Sequence, residues 1–274
     1  MNEKQIQALC WHPKRLIELE GGINFRDLGG YTTKDGRSVK WRKLFRSGAH
    51  NLLTQNDAKL LHSLSIETIA DFRSLDEQRK APTNLALFGK KADHLSWNYN
   101  LDMNDSTFLE KFKQGGDLTA LSKEIMSSFY LKLPTDFAPR YQKVFESILA
   151  NKVTLFHCSA GKDRTGVMSM LFLSLCDVEE EQIIADYEMT QHVASLKKLH
   201  SSGNNSADKN STAMAMFAKL PADAVNALMG SPIEYIKLAM DQIKTEYGSI
   251  KNYARNVLNL TDSDIRTIQD NFLQ

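Results

Sequence analysis

The chain has 274 residues, of which 42% are hydrophobic and 24% are charged, and its formal net charge is +1. This composition is typical of a globular protein with a substantial core. A net charge this close to zero excludes a global field that would attract nucleic acid or a membrane surface, so any affinity for anions must come from a local cluster.

The three cysteines, Cys10, Cys158 and Cys176, are too few and too scattered for a disulfide framework or a zinc site. They suit a reducing compartment, or an oxidising one that leaves a reactive thiol free. Residues 1–13 show no signal peptide, and no apolar stretch reaches membrane-spanning length. We therefore expect a cytoplasmic protein without an integral membrane segment, or a secreted one if a leader has been removed.

The first half of the chain alternates short apolar runs with helical patterns. An apolar patch ends at Phe45, and residues 54–64 are a predicted helix with Thr54 as its N-cap. Short strands are predicted at residues 66–72, 95–99 and 153–156. Strands that alternate with helices are typical of an α/β domain with a largely parallel sheet.

After residue 165 the pattern changes to helices. Residues 167–175 are apolar on nearly all sides, which predicts a helix buried at the centre of the domain. Residues 201–212 are small and polar and are predicted to be a loop. From Pro221 the chain is predicted to be helical, with breaks at Gly230 and Gly248.

The fold class that follows is α/β, with a central, mostly parallel sheet flanked by helices and a helical C-terminal part. We predict an N-terminal segment, residues 1–21, and a single domain over residues 22–274. Residues 201–230 form a candidate helical lid, in which Met214, Met216, Phe217 and Leu220 would cover the site or would instead be ordinary core residues.

The most informative stretch is residues 156–166, which read FHCSAGKDRTG. It lies between a predicted strand and a predicted helix, where successive backbone N–H groups and a helix N-terminus form a concave anion site. Gly161 and Gly166 permit the tight backbone path. The residues that would bind phosphate are Ser159, Ala160, Gly161, Lys162, Asp163 and Arg164.

Cys158 opens this loop, where the N–H groups and the helix dipole favour a thiolate. Arg164 closes it, and its planar fork suits two phosphate oxygens. A thiolate that faces a bound phosphate can attack phosphorus in line, while Arg164 and the loop amides hold the charge on the equatorial oxygens. This chemistry requires no metal and no cofactor.

Each residue alone has a simpler explanation, since a lone buried cysteine is usually a small hydrophobe. The combination of Cys158 and Arg164 with a preceding histidine, two glycines, a strand before and an apolar helix after favours the site. We interpret Cys176 as a core residue and assign no role to Cys10, which is predicted to lie in a flexible N-terminal segment.

The loop resembles the His-Cys-x5-Arg signature of cysteine-based phosphatases and, more narrowly, the bacterial tyrosine phosphatase family with the loop HCxAGKDRTG. Residues 24–31, 45–48 and 71–74 are similar to segments that occur in that family in the same order, and so are residues 247–249 and 260–261. The resemblance runs from about residue 22 to the end and is weakest over residues 101–133 and 201–220.

The resemblance implies the cysteine-phosphatase fold and the hydrolysis of phosphate monoesters through a phosphocysteine at Cys158. The substrates would be phosphoproteins that carry phosphotyrosine and, in some members, phosphoserine, phosphothreonine or phosphoinositides; phosphate and vanadate would be site ligands. Arg164 is carried over as the phosphate clamp and Thr165 as the hydroxyl near the thiolate. His157 would orient the loop and help to keep the thiol ionised, and a satisfied core histidine is the simpler alternative.

Lys162 lies four residues after Cys158, and in one lipid phosphatase a lysine at that place holds further phosphates of an inositol headgroup. Ser159 stands where that enzyme has a second lysine, so a solvated lysine at the rim is an equal alternative for Lys162. A phosphoinositide-preferring lipid phosphatase therefore stays an alternative function.

Asp163 is predicted to be the general acid, which the family resemblance favours. The sequence has no Trp-Pro-Asp motif, and Asp117 and Asp136 lie where a surface turn or a helix start is predicted. A carboxylate beside an anion site is electrostatically costly and needs something to offset it. Asp71 is the alternative candidate for the acid, and a structural role is the other interpretation of this residue.

Asp71 and Arg73 follow a predicted strand, at the end where α/β folds bind ligands. Arg26, Asp27 and Arg46 lie in turn-like contexts beside small residues, and we expect each to take part in a buried ion pair that braces the scaffold.

Two other functions are compatible with such a loop and compete with phosphate monoester hydrolysis. Sulfur transferases and arsenate reductases also use a cysteine loop, but the pair Arg164 and Thr165 disfavours them. A non-catalytic phosphate-binding module is disfavoured because both Cys158 and Arg164 are present.

Overall fold

A five-stranded sheet lies at the centre of the computed structural model, which describes residues 3–89, 92–100, 116–193 and 220–274. Its order is β1-β2-β5-β3-β4, with β1 antiparallel to β2 and the other pairs parallel. The strands are β1 Arg26–Asp27, β2 Leu44–Ser47, β3 Thr68–Asp71, β4 Asp93–Ser96 and β5 Thr154–His157. The predicted α/β class with a mostly parallel sheet is confirmed.

Helices cover both faces of this sheet, and a 3₁₀ turn at Leu85–Phe88 precedes β4. In chain order they are α1 Glu3–Cys10, α2 Gln55–Ser63, α3 Leu75–Lys80, α4 Leu118–Asp136, α5 Ala138–Leu149, α6 Asp163–Leu175, α7 Glu180–Val193, α8 Ala222–Met229, α9 Ile233–Tyr247, α10 Ile250–Asn256 and α11 Asp262–Phe272. None of the helices in these described parts of the chain is long and apolar enough to span a bilayer.

Local sequence signals account for several of these elements. Helix α2 begins after the predicted N-cap Thr54, whose hydroxyl accepts the Asp57 N–H while the Asp57 carboxylate accepts the Thr54 N–H. The strands predicted at residues 66–72 and 153–156 appear as β3 and β5. The strand predicted at residues 95–99 begins earlier, because β4 is an edge strand whose register follows β3, with Thr68 opposite Asp93.

The side chains of β2, β3 and β5 alternate between two apolar layers, as the twofold period of a strand requires. Phe45, Ile69 and Leu155 join the layer that contains α2, and Ala70 and Phe156 join the larger layer that contains α6. Helix α6 is buried from Arg164 to Leu173, so the predicted central helix is confirmed.

Two cysteines lie in the core. Cys176 is buried directly after α6, as predicted. Cys10 is 3% exposed at the end of α1, which packs against α7, so the predicted flexible position of this residue is wrong. Burial raises the pKa of the Cys10 thiol to about 11, and burial likewise raises that of Cys176. Both thiols are therefore unreactive hydrophobic groups.

Strand β5 positions the candidate site because it is the central strand. Its last residue, His157, is in register with Ser47 at the end of β2 and with Asp71 at the end of β3. The carboxyl ends of three parallel strands therefore converge where the 158–162 loop begins, which is where α/β folds bind ligands.

The candidate lid lies mostly outside the described residues, which include neither the loop at 201–212 nor Met214, Met216 and Phe217. Its described part, from residue 220 to 230, contains α8, which packs against α4.

Candidate active site

The loop from Cys158 to Lys162 joins β5 to α6 and is held by its carbonyl groups. The Ser159 carbonyl accepts the Ala49 N–H at 2.9 Å, and the Gly161 carbonyl accepts the Arg46 guanidinium (Nη2) at 2.8 Å. The Asn24 amide donates to the Ala160 and Gly161 carbonyls. Since the C=O and N–H of a trans peptide point in opposite directions, the following N–H groups are directed to the other side of the loop.

Gly161 is required for this path. Its φ is +68°, in the left-handed region, and a Cβ there would lie 2.5 Å from the Ser47 carbonyl carbon and oxygen. The loop therefore packs directly on the main chain after β2.

Arg164 lies in the first turn of α6 and is fixed by a carboxylate that the sequence analysis did not identify. Its Nη1 and Nη2 donate to the two oxygens of Glu77 at 2.7 and 2.8 Å. The Phe72 carbonyl accepts a further bond from Nη1 at 3.0 Å. The buried Nε has no hydrogen-bond partner among the described residues, so one donor of the fork remains for an anion.

Glu77 also connects α3 to the loop. Its carboxylate accepts the Ser159 hydroxyl at 2.5 Å and caps α3 by accepting the Ser74 N–H at 2.7 Å. Burial alone would raise the pKa of Glu77, but the charge and hydrogen bonds of Arg164 and the bond from Ser159 lower it to about 2. The spacing of Ser74 and Glu77 is that of a capping box, a signal that could have identified the carboxylate but not its partner.

Asp163 is the first residue of α6, where a helix dipole favours a negative charge. Its Oδ1 accepts the Tyr130 hydroxyl at 2.7 Å and lies 3.3 Å from the Lys162 ammonium. The helix N-terminus, the Tyr130 hydroxyl and the Lys162 ammonium compensate the electrostatic cost of placing a carboxylate beside a candidate anion site. Asp117 and Asp136 lie at the two ends of α4, as a helix N-cap and as its last residue.

Lys162 is 3% exposed, so the alternative of a solvated lysine at the rim is wrong. Its ammonium donates to the carbonyls of Leu228 and Gly230, both at 2.8 Å. These carbonyls end α8, so Lys162 ties the candidate phosphate loop to that helix.

His157 and Asp71 lie behind the loop. Asp71 and Arg73 form a buried ion pair at 2.7 Å, and Arg73 also donates to the Ala81 carbonyl and the Thr83 hydroxyl. The His157 ring contacts the Cys158 carbonyl at 3.3 Å through Nδ1, and its Nε2 lies 3.6 Å from the Asp71 carboxylate. Burial, and after it the charge of Arg73, lowers the pKa of His157 well below its usual range, so the ring is neutral and orients the loop without adding charge.

Arg26 and Arg46 form buried ion pairs, as expected, but their common partner is Asp186 on α7. Arg26 (Nε) lies 3.1 Å and Arg46 (Nη1) 2.5 Å from its carboxylate, which also accepts the Tyr31 hydroxyl. The two arginines and Asp186 carry one net positive charge directly behind the loop. No local pattern in α7 distinguishes Asp186, so sequence reasoning missed it.

Asp27 makes no ion pair with Arg26, and the expectation of a buried ion pair at Asp27 is wrong. Its carboxylate instead accepts the backbone N–H groups of Gly29 and Arg42, both at 2.8 Å. The Thr165 hydroxyl is buried and has no hydrogen-bond partner among the described residues.

The structure thus brings Cys158, Arg164 and Asp163 onto one loop and helix N-terminus, with Cys158 1% exposed. Of the supporting residues, Arg46 and His157 contact loop carbonyls directly. The contacts described above for Arg26, Asp27, Asp71 and Arg73 lie outside the loop. The arrangement offers a thiol, backbone N–H groups, a guanidinium donor and a carboxyl group to one small anion.

A family model described as the tyrosine phosphatase family matches residues 17–274. A Cupriavidus necator protein, named provisionally as a tyrosine-protein phosphatase, is 32% identical over 89% of this chain and 84% of its own length. The triple specificity protein phosphatase PtpB of Mycobacterium tuberculosis is 27% identical over 87% of this chain and 92% of its own length. The crystal structure of TpbA from P. aeruginosa has a TM-score of 0.31 and 19% identity, covering 84% of this chain and 98% of that one.

Proposed function

The chain is a protein-tyrosine phosphatase of the tyrosine phosphatase family, and from that premise we propose that it hydrolyses phosphotyrosine through a phosphocysteine at Cys158. The observation that carries the proposal is the unpartnered, buried Nε of Arg164 beside a loop whose Ser159, Ala160 and Gly161 carbonyls accept bonds from residues outside the loop. An anion with several oxygens would satisfy these donors together.

In the first step the Cys158 thiolate attacks phosphorus in line with the bond to the tyrosine oxygen. The S–P bond forms, the P–O bond breaks, and the proton of Asp163 moves to the departing phenolate oxygen. The loop N–H groups and Arg164 hold the equatorial oxygens, on which charge accumulates.

In the second step water attacks the phosphocysteine. The Asp163 carboxylate now accepts a proton from this water, the S–P bond breaks, and the thiolate is restored. Phosphate leaves and the enzyme returns to its starting state.

Cys158→Ser tests the nucleophile. We expect less than about a hundredth of the parent rate, because a hydroxyl here is far less ionised, together with retained binding of vanadate or phosphate. Cys10→Ser is the matched control, since that thiol is buried away from the loop, and it should keep the parent rate. Higher residual turnover in Cys158→Ser, or loss of activity in a chelator that metal restores, would contradict the mechanism.

Asp163→Asn tests the acid. Tyrosine leaves as a phenolate whose conjugate acid has a pKa of about 10, whereas nitrophenol is more acidic and its departure needs a proton less. The variant should therefore slow phosphotyrosine cleavage much more than nitrophenyl phosphate cleavage, and should flatten the basic limb of the pH profile. Equal slowing of the two substrates would make Asp163 a structural brace. Asp71 is then a poor replacement, since it is 1% exposed and paired with Arg73.

Phosphoserine, phosphothreonine and phosphoinositides are a second substrate group in this proposal, since one relative is named a triple specificity protein phosphatase and so acts on more than one class of substrate. A headgroup role for Lys162 would require its ammonium to leave the Leu228 and Gly230 carbonyls. Lys162→Met should therefore slow phosphotyrosine and phosphoinositide cleavage by the same factor. A selective loss of phosphoinositide turnover, absent from the exposed control Lys132→Met, would assign Lys162 to the headgroup.

A further inference from the structure

Asp163 has two carboxylate oxygens in different surroundings. Oδ1 accepts the Tyr130 hydroxyl at 2.7 Å and lies 3.3 Å from the Lys162 ammonium. Oδ2 has no hydrogen-bond donor among the residues that the structure describes, and the side chain is 17% exposed. An oxygen that already accepts a hydrogen bond and lies beside an ammonium group is a poor place for a proton, so the proton of the acid form belongs on Oδ2.

Tyr130 is rigid. It is fully buried in α4, and its ring stacks on Tyr235 of α9 with centroids 5.3 Å apart. Its hydroxyl also lies 2.7 Å from that of Tyr187 on α7, whose ring meets it edge to face. A buried phenol held by two other helices cannot easily swing away from the carboxylate that it contacts.

The direction of the hydrogen bonds follows from the number of protons. A phenol has one proton, and Tyr130 gives its proton to Asp163, so Tyr187 must donate to the Tyr130 oxygen. Burial, and next the nearby Asp163 charge, raises the pKa of both phenols well above the usual 10. Both groups therefore stay donors over the working pH range.

We propose that Tyr130 is a positioning residue for Asp163: its hydroxyl, with Tyr187 behind it, holds Oδ1 so that Oδ2 delivers the proton to the leaving oxygen. This rests on the proposed function, in which Asp163 is the acid. In the first step the proton passes from Oδ2 to the phenolate oxygen as the P–O bond breaks, and in the second step Oδ2 takes a proton from the attacking water. Tyr130 keeps its own proton throughout.

Other groups that face this cluster are few among the described residues. Lys162 comes from the loop, Arg46 of β2 acts on Tyr187, and Glu234 of α9 acts on Tyr235. Each is unchanged by a substitution that removes only the Tyr130 hydroxyl, so a change in the pH profile would report the lost bond to Asp163.

Tyr130→Phe is the central test, because it keeps the ring and its stacking. We expect kcat for a phosphotyrosine peptide to fall about tenfold and kcat for nitrophenyl phosphate to change less than about twofold, with both KM values unchanged. The basic limb of the phosphotyrosine profile should move to higher pH, since loss of a donor favours the protonated carboxyl. Tyr253→Phe is the matched control, because its buried hydroxyl donates to the Pro134 carbonyl and not to Asp163; it should keep the parent ratio of the two rates.

The double variant Tyr130→Phe with Asp163→Asn separates this proposal from the proposed function. It should be no slower than Asp163→Asn alone if Tyr130 acts only through Asp163. If Asp163→Asn slows both substrates equally, the acid is wrongly assigned and the positioning role falls with it. The other outcome is that the rate loss in Asp163→Asn is larger for phosphotyrosine than for nitrophenyl phosphate, while Tyr130→Phe keeps the parent ratio of the two rates, as Tyr253→Phe does. That result would overturn only the positioning role.

If Tyr130→Phe does not fold, Tyr187→Phe replaces it, because that variant removes only the outer hydroxyl. The same selectivity for phosphotyrosine should then appear at about threefold. A parent-like ratio in Tyr187→Phe would overturn the proposal.

Discussion

At the scale of single residues, the orientation of Arg164, the proposed phosphate clamp, depends on Glu77. Glu77→Gln keeps the shape of the side chain but removes the charge that orients Arg164 through two bonds of 2.7 and 2.8 Å. A hydrogen bond to a charged group contributes about 1.5–3 kcal/mol, so we expect kcat/KM for phosphotyrosine to fall by at least about tenfold. Steady-state kinetics measure this loss.

Asp76→Asn is the control for Glu77→Gln, since Asp76 is exposed in the same first turn of α3. It should leave kcat/KM unchanged, and an equal effect of both variants would exclude a specific role. A second readout is acid stability. The folded-state pKa of Glu77 is about 2 against an ordinary 4.5, so its stabilising contribution is present above about pH 4.5 and is lost as the pH falls toward 2. Glu77→Gln should lack this part of the pH dependence.

The buried neighbours His50 and His157 predict a different pH dependence. Their ring centroids are 3.9 Å apart. Burial is the main cause that lowers the pKa of both rings well below 6.5. The next cause is the electrostatic interaction with His157 in the case of His50, and the charge of Arg73 in the case of His157. Below about pH 6.5 the unfolded chain binds protons that the folded protein does not. The free energy of unfolding should therefore fall as the pH decreases, by up to about 1.4 kcal/mol per pH unit for each histidine.

Urea unfolding between about pH 7.5 and 5.5 measures this slope. His50→Gln, which retains a polar partner for the Ser47 hydroxyl, should reduce the slope by the share of one histidine. A slope that stays the same in the variant would show that His50 is protonated in the folded protein.

At the scale of elements, the loop and β2 are in main-chain contact at Gly161. Gly161→Ala would place a methyl group 2.5 Å from the Ser47 carbonyl, in addition to the strain of a φ of +68°. Gly36→Ala is the matched control, because Gly36 also has a positive φ, +86°, but its Cβ would meet nothing within 4 Å.

We expect Gly36→Ala to cost about 1 kcal/mol from strain alone and Gly161→Ala to cost more and to abolish vanadate binding. Chemical unfolding and a vanadate titration measure the two effects. Equal costs with vanadate binding retained would mean that the loop can move away from β2.

The sequence predicted those parts of the site that are contiguous in the chain. Cys158 to Arg164, the strand before them and the buried helix after them are visible because short spacings and local periodicity determine them. Glu77 and Asp186 could not be assigned in this way, since they meet Arg164 and Arg46 across 87 and 140 residues. The ion pair expected at Asp27 is wrong because its carboxylate binds the backbone N–H groups of Gly29 and Arg42, contacts that no local sequence pattern indicates.

At the scale of the whole molecule, Asp186 joins the sheet edge, α7 and the 158–162 loop through Arg26 and Arg46. Burial alone would raise its pKa, but Arg26 and Arg46 lower it below its usual range, so it is ionised in the folded protein. Asp186→Asn would leave two buried guanidinium groups without a countercharge, which typically costs about 3–5 kcal/mol.

Thermal and urea unfolding measure the cost of Asp186→Asn. Asp241→Asn, at a 71% exposed position on α9, is the control and should cost less than about 1 kcal/mol. A similarly small cost for Asp186→Asn would mean that the two arginines are already compensated elsewhere.

The place of β5 between β2 and β3 also bears on the order in which the chain folds. Both neighbours are synthesised roughly a hundred residues before β5, yet neither pairs with the other, and each pairs with β5. Until β5 arrives, two apolar strands have open hydrogen-bonding edges that can pair with another chain. We therefore expect refolding to be slow and its yield to fall as protein concentration rises, because the strand that leads into the Cys158 loop is also the one that closes the sheet.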